Sequence, residues 1–93
     1  MTGPALVIDQ RGNHCPLPVI ALGRAAAVHS EGSQILLLAD DPAAPADVAA
    51  WCRMKGATLV AELPSSDGLG GIGYLVELGP AHNAGAASST VGR

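Results

Sequence analysis

A single cysteine is set among charged and helix-starting residues in Asp9-Gln10-Arg11-Gly12-Asn13-His14-Cys15-Pro16-Leu17-Pro18. The run lies between a short apolar stretch and an alanine-rich one. Proline is favoured at the first positions of a helix, where its missing N–H costs nothing. The pattern Cys15-Pro16-Leu17-Pro18 therefore reads as a cysteine at a helix N-cap with a rigid first turn behind it. A thiol placed there meets the positive end of the helix dipole and several free backbone N–H groups. Both favour thiolate, and the thiolate is the nucleophile. The pattern points to sulfur chemistry at Cys15, supported by Arg11, Gly12, Pro16 and Pro18. Arg11 and His14 are candidates to stabilise the anion or to meet an anionic partner. Loop solvation is the plainer role, for His14 above all. A small buried thiol with no chemistry is the plainer reading of Cys15 itself.

Other reactive residue types carry weaker signals. Cys52 falls on the inward stripe of a second helical segment, which reads as a buried structural cysteine. Asp40 and Asp41 precede Pro42 and read as caps of that helix. Close to Cys15 they would oppose a thiolate. Gly68-x-Gly70-x-x-Gly73 has the lettering of a dinucleotide loop, but it precedes a strand and too little chain follows. His14, His29, His82 and the cysteines have no metal-ligand spacing. No cofactor is expected.

These residues must be carried by one small domain of 93 residues with a net charge of −3. Apolar residues make up 48%, with no Phe, one Trp and one Tyr, so the core should be thin and built from Leu, Ile and Val. Five scattered basic residues without an aromatic platform argue against nucleic-acid binding. No run approaches the roughly 20 apolar residues of a membrane span. Neither a basic leader nor a cleavage site is visible, so free thiols in a reducing cytoplasm are expected.

Turn residues divide the chain. Ala5 to Asp9 reads as a buried strand. Pro16 to His29 reads as a helix with Leu17, Ile20, Ala21, Arg24, Ala25 and Val28 at three- and four-residue steps, ended by Gly32 as a left-handed cap. Gln34 to Ala39 is a strand apolar on both faces. A second helix follows to Lys55, closed by Gly56, with Val48, Ala49, Trp51 and Cys52 inward. Thr58 to Leu63 is a strand with Leu59, Ala61 and Leu63 alternating. Pro64 to Gly71 is a flexible loop, and Ile72 to Leu78 a fourth strand. The expected fold is an α/β (α+β) two-layer sandwich, strand-helix-strand-helix-strand-strand. Its mixed four-stranded sheet carries both helices on one face. Residues 1–79 form the domain, and 80–93, without periodicity, a disordered tail. Parallel pairing of the first three strands would gather Cys15, Asp40-Asp41 and the Ser65–Gly71 loop at one sheet edge.

The chain resembles the TusA/SirA family of small sulfur-carrier proteins. Asp9-x-Arg11-Gly12-x-x-Cys15-Pro16-x-Pro18 is similar to that family's signature. Asp40-Asp41-Pro42-Ala43, Asp47, Trp51-Cys52 and Gly56 are similar to its second block. The likeness covers residues 5 to 79. It implies a sulfurtransferase in which Cys15 carries sulfur as a persulfide. The sulfur would come from a cysteine desulfurase or a rhodanese-type donor and pass to an acceptor protein thiol. Outlets in the family are tRNA thiolation, cofactor assembly and sulfur metabolism. Gly23-Arg24 departs from the several basic residues of relatives, so docking surfaces should differ. A regulatory or redox-sensing module of the same fold is the alternative.

Overall fold

The computed structural model describes residues 4–14, 16–65 and 67–79; Cys15 and the expected tail over 80–93 lie outside the described residues. The order is β1 (Leu6–Asp9), α1 (Leu17–Ala27), β2 (Gln34–Ala39), α2 (Ala44–Lys55), β3 (Thr58–Pro64) and β4 (Ile72–Glu77). In space the strands lie β1-β2-β4-β3. β1 pairs parallel with β2, while β4 pairs antiparallel with both β2 and β3. β1, β2 and β3 therefore share one direction, but only β1 and β2 make the expected parallel pair: β4 is inserted between β2 and β3, so β3 bonds antiparallel to β4 and not to β2, a split βαβ arrangement.

The two-layer sandwich follows from which side of each strand is apolar. Ile35, Leu37 and Ala39 of β2 and Tyr74 and Val76 of β4 are buried on the helix-covered face, with Leu78 just past the strand. Leu22 of α1 and Val48, Trp51 and Cys52 of α2 close the core from above. β2 is apolar on its other face too, through the half-buried Leu36 and Leu38. Gly56 caps α2 with φ 68°, a left-handed conformation that glycine adopts without Cβ strain.

Four local expectations change. First, α1 begins at Leu17 and has Pro16, not Cys15, at its N-cap, so the cysteine precedes the cap by one residue. Second, α1 ends at Ala27 with Val28 as C-cap. Gly32 is left-handed, φ 87°, but it serves the turn into β2, donating its N–H to Leu78 O. Third, α1 buries Pro18, Leu22, Ala25 and Ala26. Leu17 and Ile20, which the periodicity marked, are 50% and 43% exposed. An alanine-rich helix is weakly sided, so the sheet it meets selects the buried face. Fourth, a bulge between Leu59 and Ala61 breaks the alternation of β3. Leu59 opposes Val76, but after the bulge Glu62 opposes Tyr74 and Leu63 opposes Gly73. Leu63 consequently leaves the core face and is 54% exposed.

Candidate functional site

Three loops meet at the edge where β1, β2 and β3 end, as expected from their shared direction. They are the β1–α1 loop that carries Cys15, the β2–α2 turn, and the β3–β4 loop. Arg11 joins the first to the third. Its Nε donates to Asp9 Oδ1 at 3.0 Å, and one terminal nitrogen to Asp9 Oδ2 at 2.8 Å and Asp67 Oδ2 at 2.9 Å. The other donates to Asp67 Oδ1 at 2.9 Å, Ser65 Oγ at 3.1 Å and Gly70 O at 3.1 Å. The planar fork of a guanidinium suits two carboxylates at once, which an ammonium cannot match.

Asp40 ties the second loop to the first. It is not a cap: its Oδ1 accepts the N–H of Gly12 at 2.9 Å. Asp41 does sit before α2, where its Oδ1 accepts the N–H of Ala43 at 3.2 Å, but Ala43 is the N-cap and has no side-chain cap bond. The Asp41–Ala44 turn, closed by Ala44 N–H to Asp41 O, places one more turn between the aspartates and the helix than the sequence suggested. Gly71 completes the clasp. With φ 84° it passes so close to Arg11 that a Cβ would stand 2.9 Å from Arg11 Cδ and 3.0 Å from Ala39 O.

Sequence reasoning found Arg11 and Gly12 but missed Asp9, Ser65 and Asp67 as their partners. The available signal was the Ser65-x-Asp67-Gly68 turn. Ser65 Oγ donates to Asp67 Oδ1 at 2.6 Å, and Leu69 N–H donates to the same oxygen at 3.0 Å. These bonds cross-link the glycine-rich segment to itself and to Arg11.

Electrostatics agree with the geometry. Arg11's hydrogen bond holds Asp67 below the usual carboxylate range, helped by Ser65 and the Leu69 N–H. The Arg11 side chain and then its N–H do the same for Asp9. The guanidinium is itself held more firmly protonated, by Asp9 first and Asp67 second. For carboxylates so lowered, the tie is fully present above their ordinary range and is lost as pH falls through the lowered values. Amide shifts of Leu69 to Gly71 are expected to stay constant from neutral pH through the ordinary aspartate range, down to about pH 3, and to move only in stronger acid. Movement centred near 3.8, the ordinary aspartate value, would show the carboxylates unpaired.

The start of α1 offers fewer donors than expected. Leu17 N–H is bonded to His14 O at 2.9 Å, and Pro18 has no N–H. Val19 is the first-turn position with an N–H neither missing nor turned back to His14. His14 is exposed, as are Asn13 and Pro16. On one side of this point Pro16, Val19, Trp51 and Met54 line a shallow cleft of about 200 Å³. Cys52 is 4% exposed in the core, and burial pushes its thiol pKa up. It is thus neither reachable nor activated. Among the described residues no group of three or more His, Cys, Asp or Glu side chains is placed to hold a metal, and no helix is long and apolar enough to cross a membrane.

Arg11→Ala is expected to release the β3–β4 loop with little loss of global stability, because the core lies elsewhere. Amide exchange at 67–71 should accelerate while that of β2 stays slow. Arg11→Lys should restore only part of the protection. Unchanged exchange at 67–71 in Arg11→Ala would show that the loop is held by its own turn alone.

The family model described as sulfurtransferase TusA matches residues 6–69, which span all three loops up to Leu69.

Proposed function

Since the chain belongs to the TusA sulfurtransferase family, we propose that Cys15 is its sulfur-carrying residue and that Arg11, Gly12, Pro16 and Pro18 set its geometry. Sulfur transfer between proteins is a general property of that family, and the relay proposed for this chain runs from thiol to thiol. The Cys15 thiolate attacks the outer sulfur of a donor persulfide. The donor's S–S bond breaks, the donor cysteine leaves as a thiolate, and Cys15 becomes a persulfide. An acceptor thiolate then attacks the terminal sulfur and Cys15 is released as a thiolate. No net oxidation occurs, and neither metal nor cofactor enters a step. The donor is a cysteine desulfurase or a rhodanese-type protein, and the acceptor a protein thiol.

The observation that supports this most is the clasp at the sheet edge. The loop bearing Cys15 is anchored by Arg11 to the β3–β4 loop and by Gly12 to Asp40, while His14 and Pro16 on either side of Cys15 are exposed. A rigid base under an accessible segment is what exchange with a second protein requires. Arg11's charge is balanced by two carboxylates, so its part is positional. Pro16 and Pro18 restrict the first turn of α1.

Incubation with a cysteine desulfurase and cysteine, followed by intact-mass measurement, tests the reading. A gain of about 32 Da, one sulfur atom, is expected on the peptide containing Cys15. A gain on the Cys52 peptide, or only the oxygen increments of an oxidised thiol, would reject it.

A further inference from the structure

We infer that the groove between α1 and the free edge of β1 receives an extended segment of the protein that exchanges sulfur with Cys15, as a strand added to the sheet. Among the described residues β1 is the terminal strand of the sheet, and one edge of its backbone has no neighbouring strand. Beside it lies a groove of about 480 Å³, floored by Leu6, Ile8 and Gln10 and walled by Leu17, Ile20 and Arg24. The wall is the helix face that the periodicity marked and the core left out. Half-exposed apolar side chains on a helix, set over an unpaired strand, suit a peptide whose backbone pairs with β1 and whose alternate side chains enter the groove.

Charge complementarity sets the partner's chemistry. Arg24 is the cation of the groove, and among the described residues no carboxylate pairs with it. The protein is otherwise acidic, with a net charge of −3. α1 returns the chain to the start of a strand parallel to β1, so it runs back along β1. Leu17, two residues after Cys15, lies at the Gln10 end, and Arg24 at the Leu6 end. Seven helical residues separate Leu17 from Arg24, about 10 Å at 1.5 Å each. An extended chain covers that in about three residues, and the nearest position on the same face of a strand, where side chains alternate, is the fourth. The partner segment therefore carries an Asp or Glu about four positions from its reactive cysteine, with apolar residues between.

This inference rests on the proposed sulfur relay, and its test is separable from that of the relay. Hexapeptides of alternating valine and threonine, with cysteine near one end and glutamate four positions away, are prepared in both directions as mixed disulfides with 2-mercaptoethanol. The Cys15 thiolate attacks the peptide sulfur and mercaptoethanol leaves as its thiolate. Intact mass and peptide mapping read the fraction coupled at Cys15 at equilibrium. For one direction, glutamate is expected to exceed its lysine counterpart by about threefold, the scale of an exposed ion pair. Arg24→Glu should reverse the order, and backbone N-methylation of the peptide should remove the preference. Amides of β1 should exchange more slowly in the coupled species.

Equal coupling of the glutamate and lysine peptides overturns the inference, and if the 32 Da adduct still forms the relay survives. Discrimination without any adduct leaves the groove and rejects the relay. A protein that couples to no peptide fails both. A dimer with protected β1 amides in the absence of peptide also overturns it, because a second copy would then fill the groove.

Discussion

Cys15→Ser is expected to abolish sulfur transfer completely, while Cys52→Ala leaves it intact. Serine retains the size and hydrogen bonding of cysteine but cannot form a persulfide, so no residual relay remains. The flanking turn is held by bonds that do not involve the thiol: Leu17 N–H to His14 O and Gly12 N–H to Asp40. The Ser variant should therefore keep the wild-type melting temperature, which separates lost chemistry from lost fold. Cys52 is buried among core residues with a raised pKa, and its truncation to alanine should lower stability modestly without touching the transfer rate in the folded fraction. Following radiolabelled sulfur from a desulfurase through the protein to an acceptor thiol checks both. Residual transfer by Cys15→Ser would move the carrier role to another residue.

Leu37→Ala carries the largest expected effect on stability. Leu37 is fully buried at the middle of β2, opposite Ile8 of β1 on one side and Tyr74 of β4 on the other. Its removal leaves a cavity bounded by two strand pairs and a helix layer, which cannot collapse without moving the sheet. Such truncations cost about 2–5 kcal/mol, a large share of the 5–15 kcal/mol that holds a typical small domain together. A fall in melting temperature of at least about 8 °C is expected, on a scale of roughly 4–8 °C per kcal/mol for a domain of this size. Thermal unfolding followed by circular dichroism measures it. A fall of less than about 3 °C would mean that the core relaxes around the gap. Leu63→Ala should lie near zero by comparison, because the bulge in β3 places Leu63 at 54% exposure.

The contrast between these two leucines shows where sequence reading succeeds and where it stops. Element type and order were legible throughout, because Gly and Pro mark boundaries by their own backbone limits and do so without tertiary help. Gly56 capping α2 is such a case. The burial of Tyr74, Val76 and Leu78 was legible because strict alternation survives in an unbulged strand. The gathering of three loops at one sheet edge followed from strand direction, and so from the order of helices and strands alone.

Partner choice and facing came only with the tertiary structure. The bulge at Leu59/Ala61 adds one residue, and with a period of two that turns every later side chain to the other face. Composition carries no sign of it. The face α1 buries depends on the sheet beneath, since alanine leaves both sides nearly equivalent; the groove beside β1 follows from that choice. Asp40 looked like a cap because capping is a local pattern, yet its bond goes to Gly12, 28 residues away. Arg11 looked free to serve the thiol, but its donors are taken by Asp67, Ser65 and Gly70, 54 to 59 residues along the chain. Local physics, written in the sequence, determined which elements form and that a helix starts within the Pro16-Leu17-Pro18 run. Long-range pairing, decided only when the strands assembled, determined which charges neutralise one another and which apolar face remains open.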